Sequence, residues 1–277
     1  MTQFEKAPES RRISTGEGVE VQKKNFEIEI EKERFDFTLL PSAQPSHTLV
    51  IHFPGFTQDG EEYAEPMHYE TGQSHTTLTF KEYGENYSKA VLTKAIEQAL
   101  EVSDMRNQII VLHGTSFGSS VIYDLISDPE YKEFLDKIGV AGVIMETPVL
   151  DKSHLNAKYR SLPDDVLVSG AAKLADLSAI RRENKPLDEA RFTELLREKT
   201  IDKKITIPVH VVFAAHDRLV DNRKIADTLR NQSAEFTSQV VPSASSRAGH
   251  HVAEYESTWN SEKKVIDDFG QRPRPVT

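Results

Sequence analysis

A chain of 277 residues with 34 Lys and Arg against 44 Asp and Glu carries a formal charge of −10, and 38% of it is hydrophobic. That length and apolar content suffice for a sizeable core in one large α/β domain or two smaller ones, while the acidic balance, without a clustered basic block, argues against a nucleic-acid partner. With no cysteine in the chain, disulfide frameworks, thiolate metal sites and a cysteine nucleophile are excluded as well.

Taken in chain order, residues 1–18 ("MTQFEKAPESRRISTGEG") are polar and aperiodic, which predicts a flexible leader. The stretch lacks the apolar segment of a secretory signal, and no run approaches the roughly 18 apolar residues of a membrane span, so a cytoplasmic protein without a membrane span is expected. "NFEIEIEKERFDFTLL" then alternates apolar and charged residues: Phe26, Ile28 and Ile30 share one face, "EKER" interrupts, and Phe35, Phe37 and Leu39 resume. Period-two alternation with one break predicts an antiparallel hairpin. Four continuous apolar runs follow: "HTLVIHF" (47–53), "QIIVLH" (108–113), "VAGVIME" (140–146) and "IPVHVVFAA" (207–215). Such runs, bounded by turn residues, predict strands covered on both faces. Helical periodicity falls between them at 88–104, at 119–138 with Pro129 breaking it, and at 222–232. Strands alternating with helices predict an α/β fold with a mostly parallel, doubly wound sheet. Residues 150–203 carry only a helical pattern and read as an insertion that divides the core into 19–149 and 204–270, and "QRPRPVT" (271–277) reads as a flexible tail.

The stretch "HGTSFG" (113–118) sets Ser116 between Gly114 and Gly118, directly after an apolar run and directly before a helical pattern. A nucleophile on a tight strand-to-helix turn has its oxygen pushed out at the carboxyl end of the sheet, with positive φ at the serine and glycines where side chains would collide. The helix starting near Phe117 aims its N-terminal N–H groups and positive dipole end at the same spot, favouring a developing oxyanion. A serine hydroxyl needs a base, and the base an orienting acid. Asp217 lies just past the last apolar residue of "VHVVFAAHD", and His250 follows Gly249 in a loop about thirty residues on, which gives the order Ser, Asp, His that this chemistry takes on a doubly wound sheet.

These motifs, in this order and spacing, resemble the α/β-hydrolase family over residues 19 to about 270. The resemblance implies an α/β-hydrolase fold in which the catalytic residues are Ser116 on an elbow after the fifth strand, Asp217 after the seventh and His250 after the eighth. It implies a helical lid at 150–203, after the sixth strand. It also implies an oxyanion hole built from the backbone N–H groups of Phe56 and Phe117. Here "PGF" (54–56) stands where the family commonly has His-Gly and an apolar residue. Proline has no N–H, but the donor comes two residues later, so the hole survives the change. "FKEYGENYS" (80–88) resembles the glycine-containing loop after the family's fourth strand.

Several neighbours compete for these roles. His251 adjoins His250, and the family pattern, histidine directly after glycine, favours His250. Glu146 ends the run "VIME", where some relatives place their acid; it reads more simply as a solvated strand terminus. Asp221 reads as the cap of the helix beginning "NRKIAD", His216 as a loop residue beside Asp217, and His113 as a buried residue satisfying a backbone contact. His52, His68, His75 and His154 are scattered, with no i, i+4 pair and no carboxylate at ligand spacing, so no metal and no cofactor are expected. "DFG" (268–270) stands without the other parts of a kinase and reads as a helix closed by Gly270.

The resemblance and the apolar residues near the elbow (Phe53, Phe56, Phe117) imply a small-molecule substrate, a carboxylic ester or thioester with an apolar acyl or aryl group. The apolar residues of the insertion, among them Leu155, Tyr159, Leu162, Val166 and Leu167, either face that pocket or dock the lid on the core. The same triad serves acyltransferases and carbon–carbon bond hydrolases, and the scaffold also suits a non-catalytic ligand-binding protein. Oligomeric state is not readable from the sequence.

Overall fold

A computed structural model describes residues 10–14, 20–55, 60–82, 88–163, 166–167, 204–242 and 256–273. The expected hairpin forms from Glu20–Ile30 (β2) and Glu33–Leu40 (β3), which set Phe26 opposite Phe37 and Ile28 opposite Phe35. Its two-residue turn, Glu31 and Lys32, holds both residues at positive φ (53° and 73°). A two-residue hairpin turn needs that backbone twist whatever residues occupy it. Ser10–Ser14 (β1), inside the stretch expected to be a flexible leader, pairs antiparallel with β2. Period-two patterning gives no signal there because the strand is short and polar.

The four apolar runs become Thr48–Phe53 (β4), Ile109–Thr115 (β6), Val140–Glu146 (β7) and Val209–Ala214 (β8). Thr76–Glu82 (β5) and Phe236–Val241 (β9) complete a nine-stranded sheet in the order β1-β2-β3-β5-β4-β6-β7-β8-β9. β5 takes in Phe80–Glu82, the start of the stretch read as a loop, and the rest of that loop, 83–87, lies outside the described residues. Pairing is antiparallel from β1 to β5 and parallel from β5 across to β9. Among the described residues the helices are Gly60–Glu70 (α1), Lys89–Val102 (α2), Phe117–Ile126 (α3), Lys132–Ile138 (α4), Ala157–Arg160 (α5), Asn222–Gln232 (α6) and Glu256–Gly270 (α7). Pro129 breaks the helical run as expected, in a short 3-10 turn between α3 and α4.

Successive side chains along a strand point to opposite faces, so each central strand feeds two cores. Leu49, Ile51, Phe53, Ile110, Leu112, Val143, Met145, Val209, Val211 and Phe213 pack with residues of α2, α3, α4 and α6. Val50, Val111, Ile144, Val212 and Ala214 pack on the other face with Tyr63 and Met67 of α1 and Trp259, Ile266 and Phe269 of α7. Gly142 lets α7 lie close to the sheet, since a Cβ there would meet the Phe269 ring at 2.2 Å. Two-sided burial is the reason these strands read as unbroken apolar runs.

Of the insertion, residues 164–165 and 168–203 lie outside the described residues. In its described part Leu155 is buried in the larger core and Tyr159 and Leu167 pack against it, with Leu155 bridging to Val220.

Candidate active site

Ser116 occupies the turn between β6 and α3 with φ 47° and ψ −109°. Such a backbone is strained for any residue with a Cβ, and it persists only where the surroundings enforce it. The enforcement is visible on every side. The Ser116 N–H donates to the carbonyl of Glu146 at 2.8 Å, tying the turn to the end of β7. The Ser119 hydroxyl donates to the carbonyl of Gly114 at 2.6 Å and reaches that of Glu146 at 3.2 Å. A Cβ on Gly118 would fall 2.0 Å from the Phe53 carbonyl oxygen, and one on Gly114 would fall 2.7 Å from the Ser119 nitrogen. Both glycines are therefore required by close approach. Ser116 itself is 9% exposed, and Phe117 opens α3 so that its N–H belongs to the helix's N-terminal turn, on the side of the serine.

Asp217 follows β8 by three residues. Its Oδ1 accepts the N–H groups of Leu219 (2.8 Å) and Val220 (3.1 Å), which fixes the carboxylate in the loop. Neighbouring strands lie about 4.8 Å apart, so the carboxyl ends of β6 and β8, with β7 between them, are about 10 Å apart. Asp221 caps α6, its side chain accepting the Lys224 N–H at 3.1 Å, as expected. His216 is exposed in the loop beside Asp217. His250, His251 and Phe56 lie outside the described residues. The flanks of the segment bearing His250 are described: β9 ends at Val241 beside Ala214 of β8, and α7 begins at Glu256. Further along, α7 sets Glu262 near His113 and Phe269 near Gly142. It thus runs from the carboxyl end of the sheet toward the amino end, and both flanks stand on the side of Ser116 and Asp217.

Phe53 does not line this site. It is buried against Phe80 at a ring distance of 4.9 Å, because its place in β4 points it into the larger core.

A second polar group lies just below the elbow on the face covered by α1 and α7. His52 and His113 are register partners in β4 and β6, and their Nδ1 atoms are 2.9 Å apart. Glu146 is 2% exposed, which corrects its reading as a solvated strand terminus. Its Oε1 accepts the Tyr63 hydroxyl at 2.5 Å and stands 3.2 Å from His113 Nε2. Glu262 of α7, wholly buried, brings its Oε2 to 3.6 Å from the same nitrogen. His113 is thus held by side chains, and not by the backbone contact expected for it. Burial alone would lower the His113 pKa, but the two carboxylates overcome it and raise it to about 10. Burial and the Glu146 charge push the Glu262 carboxyl up to about 8. His52, buried beside His113, is driven well below the usual histidine range. The cluster escaped the sequence because its members sit on five elements with no local spacing. A trace is legible in retrospect: "LVIHF", "IIVLH" and "GVIME" each carry one titratable residue at the same end of an apolar run.

No protein-family model matches the sequence, and no curated protein is similar to it at a significant level. Solved structures do match. A soluble variant of monoglyceride lipase from Saccharomyces cerevisiae is 14% identical with a TM-score of 0.65, covering 90% of this chain and 95% of that one. An esterase of Rhizomucor miehei is 15% identical with a TM-score of 0.60 (90% and 83% covered), and an esterase of Pyrococcus furiosus is 15% identical with a TM-score of 0.55 (90% of each). Among the described residues no helix is long and apolar enough to cross a membrane. The strand order, the elbow between β6 and α3 and these likenesses agree on one conclusion: the chain has the α/β-hydrolase fold.

Proposed function

We propose that the chain is a serine hydrolase that cleaves a carboxylic ester or thioester with an apolar acyl or aryl group through an acyl-enzyme. The observation that carries this reading is the enforced positive φ of Ser116, which sets a serine on a tight strand-to-helix turn at the carboxyl end of the sheet. The fold neighbours whose names include lipase, esterase and serine hydrolase support it. In the proposed reaction Ser116 Oγ attacks the acyl carbon as His250 takes its proton, and Asp217 holds the imidazole's tautomer and stabilises its cation. One imidazole hydrogen-bonded at both nitrogens suits the gap between the ends of β6 and β8. The N–H groups of Phe56 and Phe117 receive the oxyanion. The bond to the leaving group then breaks as His250 returns the proton to it, and a water, deprotonated by His250, hydrolyses the acyl-enzyme. In this reading residues 150–203 serve as the lid, and Leu155, in the described part of that stretch, is buried in the core.

A panel of p-nitrophenyl esters of rising acyl length and acyl thioesters, assayed with and without added alcohol or amine, tests the reading. Turnover that rises with apolar chain length and yields free acid is the expected result. Acyl transfer to the added nucleophile in preference to water would assign a transferase, and no turnover with any member would favour a binding protein.

A further inference from the structure

The cluster beneath the elbow does more than fill a core. Three donor atoms, His113 Nε2 and one carboxylate oxygen each from Glu146 and Glu262, lie within 4.8 Å of one another, and all three residues are buried. A charge-assisted hydrogen bond from an imidazole to a carboxylate runs about 2.7–2.9 Å. The His113 contacts are longer, 3.2 Å and 3.6 Å. Among the described residues His113 Nε2 and both oxygens of Glu262 make no hydrogen bond of normal geometry. A buried carboxyl without a well-formed partner is unfavourable whether charged or protonated. The same distances have another meaning: in a tetrahedral site with bonds of about 2.0–2.2 Å, ligand atoms stand about 3.3–3.6 Å apart.

We propose that His113, Glu146 and Glu262 bind one divalent first-row metal ion, of which zinc suits the donors best. Charge is compatible with this: once an ion displaces the protons that His113 and Glu262 otherwise hold, two carboxylates and a neutral imidazole sum to −2, which one such ion neutralises in a site closed to water. The surroundings have the form of a metal site's outer shell, in which the second nitrogen of a ligating histidine and the oxygens of a ligating carboxylate are hydrogen-bonded. His113 Nδ1 meets His52 Nδ1 at 2.9 Å, and the Tyr63 hydroxyl donates to Glu146. The donor set of one imidazole and two carboxylates suits zinc, manganese or ferrous iron better than magnesium or calcium. The second oxygen of Glu146 or Glu262 completes four-coordination, and the ion's role is structural. The ion joins β6, β7 and α7, and through Glu146, whose carbonyl accepts the Ser116 N–H, it braces the elbow.

The test is metal content, which does not depend on catalysis. The full chain is unfolded with chelator, refolded with zinc or manganese chloride, desalted and measured by elemental mass spectrometry, alongside Glu262→Gln and Ser116→Ala. The proposal expects about one ion per chain in the wild type and in Ser116→Ala, and occupancy at least about tenfold lower in Glu262→Gln. X-ray absorption on the wild type, expected to fit one nitrogen and otherwise oxygen ligands, keeps the test decisive if Glu262→Gln does not fold. A folded wild type without metal under these conditions, equal occupancy in Glu262→Gln, or a spectrum dominated by several imidazoles would overturn it. In those cases protons shared among the three groups would neutralise the cluster instead. Loss of activity in Ser116→Ala with metal retained would separate the two proposals.

Discussion

Ser116 is where backbone strain and the proposed chemistry meet. A residue with a Cβ at φ 47° and ψ −109° carries about 1–3 kcal/mol of strain. Ser116→Gly releases that strain but gives the unfolded chain more freedom, which offsets part of the gain. We expect Ser116→Gly to be more stable than Ser116→Ala by about 1 kcal/mol in urea unfolding, with both inactive, kcat/KM falling on the order of 10⁴-fold or more. Equal stability of the two would mean that the turn is not strained. Gly118 shows the reverse case: Gly118→Ala drives a Cβ to 2.0 Å from the Phe53 carbonyl oxygen, and neither partner is a side chain that can turn away. Its expected cost is about 3 kcal/mol, read as a fall in thermal midpoint together with lost activity.

At the level of elements the β2–β3 turn departs from local preference. Glu31 and Lys32 both sit at positive φ, where Asn-Gly is favoured. Replacing the pair with Asn-Gly should stabilise the chain by about 1 kcal/mol in urea unfolding, even with loss of the exposed Lys94–Glu31 ion pair, which contributes little; a loss of stability would contradict the turn assignment. The hairpin itself was legible because alternation survives on both of its arms. The four central strands were legible because burial on both faces leaves nearly every residue apolar, and "NRKIADTLRNQ" matched α6 to the residue. β9 was not legible: "FTSQVV" is an edge strand with half its residues exposed, so it keeps no buried face to read. α1 carries Pro66 within it, and its helical pattern is weak. Within the candidate site, Ser116 and Asp217 could be read locally, because one is flanked by glycines and the other ends an apolar run. The His113, Glu146 and Glu262 cluster could not, because only the sheet register and the packing of α7 bring the three together.

Across the whole molecule, buried histidines couple stability to pH. His68 accepts the Thr77 hydroxyl at Nδ1 (3.1 Å) and donates from Nε2 to the Pro41 carbonyl (3.1 Å), a pattern that suits the neutral ring, and burial lowers its pKa to about 4. Burial lowers His210, beside Thr237, to about 4 as well. Unfolded, each titrates near 6.5, so between about pH 6.5 and 4 the unfolded chain binds more protons than the folded one. Stability therefore falls as pH drops through that window, by on the order of 3 kcal/mol for each histidine. Urea midpoints measured from pH 7 to 4 should decline, because the two histidines together outweigh Glu262, whose carboxyl, raised to about 8, adds stability as pH falls, and His68→Gln should flatten the slope; an unchanged slope would mean that His68 is not held neutral. The proposed catalysis draws on the whole sheet: Ser116 is a nucleophile activated by a distant histidine and aspartate. Its most direct measurement is intact mass after treatment with a fluorophosphonate probe: the account predicts a single adduct on the wild type that is absent in Ser116→Ala, whereas no adduct on the wild type, or one that persists in Ser116→Ala, would contradict it.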